Sequence, residues 1–408
     1  AANEKIAHIH TVVGSRRALL ALSGGSDSAI VAYLTSKAGV RGRAIYIKAV
    51  DSAEAETHVK QYFTNLPGIE LKIVDATSRV LTAVVGVTGM AERREVFQPL
   101  YGQILQEEAD ALEQEEPATE VVVEQGTLYT DRSESGDGYQ SGARRARIKL
   151  HHNVGLKLRQ KILEPLADQV KDTARAIGRQ IGVPEVLLAR HPTPGPGGLV
   201  RIEGEVTAEK LGMWHTSESI FIEELRAEGH YDAVWQAAAV VTNINRLHTH
   251  HDRIETIYRT VLNEASIANV LVGATLTGSM HTGVKGEEGT VGRVAVLWAG
   301  HGPRNERQWR GLPHDVLRIA SQRITNEVPE VGAVVYSLSN QPPHRWRSDG
   351  HVIALWAVPS VNGFTAQWAE LPFPFLRRVA ERIRLALPSV PAVLYRISDK
   401  PPATIEWG

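Results

Sequence analysis

The 408-residue chain has no cysteine, and only three methionines and six phenylalanines. The missing cysteine excludes disulfides, cysteine-ligated zinc and a cysteine nucleophile within it. Neither sign of charge is in excess, with 45 Lys plus Arg against 46 Asp plus Glu. A general nucleic-acid surface is therefore not expected, and any phosphate ligand would have to be met locally. No apolar run is long enough to span a bilayer. The opening AANEKIAHIH lacks the basic stretch and apolar core of a secretion signal. A cytoplasmic protein without nucleic-acid or membrane partners is the expectation. What is present is ordinary for a globular chain: 43% apolar and 22% charged residues, in a length suited to two or three domains.

The pattern along the first half alternates. RALLAL (17–22) reads as a strand, SGGSDS (23–28) as a turn and AIVAYL (29–34) as an apolar helix. Further strands are read at 44–47, 71–74 and 121–123, with helical stretches between them. Such alternation implies a parallel sheet covered on both faces, with ligands at the carboxyl ends of its strands. PTPGPGG (192–198) has too much proline and glycine for a helix or strand and reads as a linker closing the first domain.

The second half repeats itself. Residues 308–343 match 367–402 at an offset of 59, with 16 of 36 positions identical. RVAVLWA (293–299) resembles HVIALWA (351–357). Each copy, about 293–343 and 351–402, reads as a small α+β unit too thin to bury both faces alone, so the two are expected to pack together. The stretch 213–275 is mostly helical in pattern, and 248–275 is its least readable part.

The turn Ser23-Gly24-Gly25-Ser26-Asp27-Ser28 carries the chemistry. Between a strand and a helix, it presents free backbone N–H groups and the positive end of the helix dipole. Glycines allow close approach of a phosphate, the serines add hydroxyls, and Asp27 can hold Mg²⁺. It lacks the Gly-Lys-Ser/Thr ending of a Walker loop. Adjacent His151 and His152 in a strand would point to opposite faces, which argues against a metal pair. His248, His250, His251 and Asp252 lack a ligand spacing and read as a solvated loop.

The hexapeptide resembles the pyrophosphatase loop of enzymes that cleave ATP between its α- and β-phosphates. Five further blocks follow: EQGTLYTDRSES (124–135), IKLHHNVG (148–155), EPLADQVKDTARAIGRQIGVP (164–184), RHPTPGPG (190–197) and the terminal DKPPATIEW. Together they resemble, in order, the ATP-pyrophosphatase and dimerisation segments of the GMP synthase family. The resemblance implies a Rossmann-like, adenine nucleotide alpha hydrolase-like domain over 1–197 and a dimerisation-type α+β domain over 198–408. It implies a carbon–nitrogen ligase that adenylates xanthosine monophosphate with ATP and Mg²⁺, after which ammonia displaces AMP and GMP is formed.

By motif match, residues 23–28 and Gly126 would bind the nucleotide. Asp27, Lys149 and Lys171 would serve the chemistry, and Asp27 and Asp172 the metal. Arg93, Asp131, Glu134, Ser135, Arg190 and His191 would line the acceptor side. Lys400, Ile405 and Glu406 would clasp its phosphate and ribose end. Departures from the family are local. Ser26 replaces Val, the lid KRKIIG reads Arg93-Arg94-Glu95-Val96-Phe97-Gln98, and Arg132 enters the pocket block. Gln341 stands where the second copy has Lys400, so one phosphate clasp is expected rather than two. With no cysteine, ammonia is expected free, from a separate glutaminase subunit, or from an amidotransferase domain outside this sequence. The duplication is expected to make the chain a pseudo-dimeric monomer, with a homodimer as the alternative. A non-catalytic nucleotide-binding relative, or a synthetase with another acceptor, are the rival readings.

Overall fold

Six residues, Arg17–Leu22, form strand β1, buried along its whole length. Neighbours on both edges and helices on both faces explain its near-continuous apolar run. The structure is a computed structural model and describes residues 1–52, 54–134, 157–243, 248–285, 288–303, 308–346, 350–359 and 365–407. It divides into two compact units, Ala1–Val87 with Ala91–Leu199, and Thr88–Met90 with Val200–Gly408.

The first unit holds β1, β2 (Gly42–Lys48), β3 (Ile69–Asp75), β4 (Val121–Glu124) and β5 (Lys161–Leu163). All neighbours pair in parallel, in the order β3-β2-β1-β4-β5. This is the expected Rossmann-like α/β sheet. Its helices are α1 (Ala2–Val13), α2 (Ser26–Lys37), α3 (Ala55–Phe63), α4 (Thr77–Ala83), α5 (Met90–Glu115), α6 (Tyr129–Glu134), α7 (Lys171–Gln180) and α8 (Glu185–Leu188). The chain leaves β1 toward β2 on one side and β4 lies on the other, so the loops after β1 and β4 flank the switch point where such sheets take ligands. Leu20, Ala44, Tyr46 and Val122 of the sheet join Ile30, Leu34 and Ile177 of the helices in one core.

The second unit contains α9 (Ala208–Ala227), β6 (Gln236–Thr242), β7 (His248–His250), α10 (Asp252–Glu264), β8 (Leu271–Lys285), β9 (Glu288–His301) and β10 (Gln308–Trp309). It continues with α11 (His314–Glu327), β11 (Val331–Ser337), β12 (Val352–Val358), α12 (Phe373–Ala386) and β13 (Val393–Arg396). Two readings need correction. Gln236–Thr242, within the stretch taken as mostly helical, is a strand buried at every residue and paired antiparallel with β12. A run apolar on both faces carries no period that separates strand from helix. Residues 248–252 are not a loop: β7 pairs with β8, and His251 caps α10, its Nδ1 accepting from Ile254 N at 3.3 Å.

The expected duplicated α+β module is present, and its two copies share one sheet, ordered β6-β12-β13-β11-β9-β8-β7. Helix α9 packs on β6 and α12, as α10 packs on β8 and α11. The outer copy is thus α9-β6-β12-α12-β13, and the inner copy, α10-β8-β9-α11-β11, is inserted between its β6 and β12. They meet on the antiparallel β11/β13 pair, where Tyr336 stands opposite Tyr395, residues one repeat offset apart. Arg318 lies 5.2 Å over Trp368, and its equivalent Arg377 lies 5.3 Å over the equivalent Trp309. Such reciprocal contacts are those of a two-fold dimer interface, here within one chain.

Candidate functional site

Strand β1 ends at Leu22, and helix α2 begins at Ser26 with Gly25 as its N-cap and no side chain capping it. The turn is braced from within. Ser28 Oγ accepts from Ser23 N at 3.2 Å and donates to Gly25 O at 3.1 Å. Ser23 Oγ accepts from Gly25 N at 3.3 Å. Gly24 sits at φ 74°, a backbone region that favours glycine. An uncapped helix start beside a rigid turn leaves backbone donors for an anion.

Strand β4 completes the floor. A Cβ on Gly126 would lie 2.7 Å from Ser28 N, so only glycine admits this contact. Leu128 N donates to Asp131 Oδ2 at 2.9 Å, which fixes the start of α6. Beneath the site, Glu124 is wholly buried and accepts from Thr35 Oγ1 on α2. Burial pushes its carboxyl up to about 7.

Helix α7 brings its first residue back to the turn. Lys171 Nζ donates to both Asp27 oxygens, at 2.8 and 2.7 Å, with both side chains largely shielded from solvent. Asp172, next along the helix, is exposed. Among the described residues no group of three or more His, Asp or Glu could hold a metal by itself. Asp27 and Asp172 offer hard oxygen donors, which suits a Mg²⁺ ion that takes few protein ligands and shares phosphate oxygens.

The segment after α8 does not hang as a free linker. Arg190 Nη1 donates to Gly24 O at 2.8 Å. Gly198 N donates to Val50 O at 2.6 Å, and a Cβ on Gly197, at φ 55°, would fall 2.2 Å from that oxygen. His191 is buried. Asp51, after β2, accepts from Tyr46 Oη at 2.7 Å and Ala49 N at 3.2 Å. Burial raises the Asp51 carboxyl, and the nearby Arg190 charge opposes that rise. The structure therefore brings residues 23–28, Gly126, Asp131, Lys171 and Arg190 to one end of the sheet.

Arg93 is held by backbone carbonyls of its own unit. The segment compared with a lid is the start of the 26-residue helix α5. Arg93 is fully buried and donates to Val87 O at 3.0 Å and Leu199 O at 2.6 Å. The apolar Phe97, Tyr101 and Ile104 at helical spacing, all buried, account for the difference. Lys149 and Ser135, with His151 and His152, lie outside the described residues, as does the side chain of Glu134.

The clasp expected at the C-terminus belongs to the second unit. Ile405 and Glu406 are buried, and Lys400 is partly so. Glu406 Oε1 accepts from Gln236 Nε2 at 2.7 Å and Arg201 Nη2 at 3.3 Å. Arg201 also stacks 4.6 Å over Trp356, and Arg396 lies 5.4 Å over the same ring. Burial lowers the Arg396 guanidinium to about 10. Sequence reading found neither arginine, because neither falls in a motif.

A braced turn at the switch point of a doubly wound sheet defines the class: an α/β protein with an uncapped, glycine-rich turn at a strand's carboxyl end. Residues 264–345 and 344–407 each match the family model of the GMP synthase C-terminal domain. The chain is 35% identical over 352 residues to the glutamine-hydrolysing GMP synthase of Thermotoga petrophila, covering 83% of this chain and 60% of that one. It is 31% identical to that of Aquifex aeolicus over 99% of this chain and 60% of the relative. Residues 264–407 thus match the GMP synthase C-terminal domain model, and most of the chain is similar in sequence to the GMP synthases. It spans about 60% of the length of the relatives it matches. Among solved structures, NAD+ synthetase from Burkholderia pseudomallei aligns with a TM-score of 0.33 at 20% identity, covering 52% of this chain and 78% of that one. Among the described residues no helix is long and apolar enough to cross a membrane.

Proposed function

We propose that the chain is the synthetase portion of a GMP synthase-type ligase. It activates xanthosine monophosphate with ATP and aminates it with ammonia, acting in the cytoplasm. The purine oxygen attacks the α-phosphate and pyrophosphate leaves. Ammonia then adds at the activated carbon, AMP departs with the oxygen, and a proton is released.

The observation that carries this reading is the Asp27–Lys171 pair at the mouth of the uncapped turn. The turn's N–H groups and hydroxyls would seat the leaving pyrophosphate, and Lys171 would turn from Asp27 to its charge. Mg²⁺, held by Asp27 and Asp172, would supply charge neutralisation at the phosphates. Arg190, tied to the turn through Gly24, would hold the acceptor side. Asp131, Glu134, Ser135 and Lys149 would line the pocket, and Lys400, Ile405 and Glu406 the acceptor's phosphate end. Ammonia would come free in solution, from a separate glutaminase or from an amidotransferase domain.

The test is pyrophosphate release with ATP, Mg²⁺, xanthosine monophosphate and an ammonium salt, each omitted in turn. Release that depends on the nucleotide, with GMP formed, supports the reading. ATP binding without release under these conditions removes the catalytic part.

A further inference from the structure

Strands β8 and β9 run past the end of β11 as a two-stranded arm. Their pairing shifts register between Leu276 and Met280 and then continues from Met280–Arg293 to Lys285–Glu288. The arm belongs to the inner copy, yet it grips the C-terminal segment that follows β13 of the outer copy. Thr404 N donates to Thr282 O at 3.0 Å, and Thr282 N donates to Trp407 O at 3.1 Å. The two threonine hydroxyls lie 2.6 Å apart, and Thr404 Oγ1 also donates to Glu406 O at 2.7 Å. Gly283 bridges to Ala403, where a Cβ would come 2.7 Å from Pro402 O.

His281 completes the grip and is fully buried. Its ring lies 5.1 Å from Trp407, and its Nε2 faces Arg396 Nη1 at 3.3 Å. Arg396 Nη1 in turn donates to Thr404 O at 3.0 Å and Ile405 O at 2.7 Å. Three consecutive residues of the arm and one arginine of β13 therefore fix the backbone from Ala403 to Trp407. Among the described residues the other copy has no equivalent arm. The corresponding connection, from β6 to β12, is where the inner copy is inserted, and the residue equivalent to Arg396 is Ser337.

We infer that His281 and Thr282 are positioning residues for the acceptor nucleotide: the inner copy supplies them so that the outer copy's Lys400, Ile405 and Glu406 are held ready. The inference rests on the proposed function for its ligand. It also explains why the duplicated module would keep both copies while serving one acceptor site, since the second copy works as the brace.

The experiment uses the full chain with Thr282→Val, Thr282→Ser and His281→Gln, measuring steady-state kinetics and amide hydrogen exchange over 403–407. The expected result is a KM for xanthosine monophosphate raised about tenfold or more in T282V, a tenfold loss of binding being about 1.4 kcal/mol. Its kcat and its KM for ATP stay near wild type, exchange at 403–407 is faster, and T282S restores both. H281Q moves the same way and guards against a folding defect particular to one variant. An active enzyme whose nucleotide KM is unchanged in T282V and H281Q, despite faster exchange, overturns this inference alone. A wild-type chain that neither binds nor turns over xanthosine monophosphate overturns the proposed function and this inference with it.

Discussion

The rings of His314 and Phe373, equivalent positions of the two repeats, pack 4.7 Å apart across the pseudo-two-fold axis. Burial holds the His314 imidazole below its ordinary range, as suits a ring used for packing. An edge that would pair two chains is thus filled from within. The chain is expected to be a monomer at micromolar concentration, and light scattering giving twice the chain mass would sink that expectation.

Removing the Asp27 carboxylate separates chemistry from folding. Asp27→Asn is expected to cut pyrophosphate release by about a hundredfold or more, the scale of losing one charge-organising group. Lys171 and Asp27 keep only 13% and 23% of their side-chain surfaces exposed, yet the pair stands at the mouth of the turn where water can replace it, so melting should shift by no more than a few degrees. A variant that releases pyrophosphate at the wild-type rate would remove Asp27 from the site.

Gly126→Ala probes the close approach of β4 to the turn. The added methyl meets backbone at Ser28 N and Asp27 C, not a side chain that could swing away. A cost of about 1–3 kcal/mol in stability is expected, with weaker ATP binding. Unchanged ATP affinity in calorimetry would show that the turn tolerates displacement.

Glu124 predicts a pH dependence. Its folded carboxyl titrates at about 7, against an ordinary 4.5, because of burial. The folded state therefore keeps a proton that the unfolded chain sheds. Its stability contribution is whole below pH 4.5, is lost as pH rises through 7, and changes little above that. The loss amounts to about 3 kcal/mol. Glu124→Gln keeps an acceptor for Thr35 and removes the charge, so denaturant unfolding at pH 8 should show the variant more stable. Equal pH profiles for both proteins would contradict a buried, proton-holding Glu124.

Much of this architecture could be read from residue patterns. Strands β1 to β4 declared themselves because buried parallel strands are short apolar runs, and the phosphate turn because Gly24 and Gly25 sit between a strand and an apolar helix. The repeat was visible as identity at fixed offset. The packing of the two copies followed from it; the contacts that achieve it did not, since nothing local in Arg318 or Trp368 says that each crosses to the other copy. Strand β5, with three residues, is too short to show a period. Motif match alone put Arg93 on the acceptor side, while its burial depends on carbonyls at Val87 and Leu199 that only the fold brings near. His281 and Thr282 sit in no motif, and their meaning comes entirely from what the arm touches.

The insertion of one copy inside the other also sets an order of assembly. Thr242 and Val352 are neighbours in the sheet, yet the whole inner copy lies between them in the chain. Closing that pair early would cost the entropy of a long loop, whereas the inner copy can close on contacts nearer in sequence. Residues 252–337 should therefore gain hydrogen-exchange protection first during refolding and present β11 as the template on which β13 adds. On a ribosome the inner copy would be complete before β12 emerges, so the later half of the outer copy would be made in the presence of the surface that it pairs with.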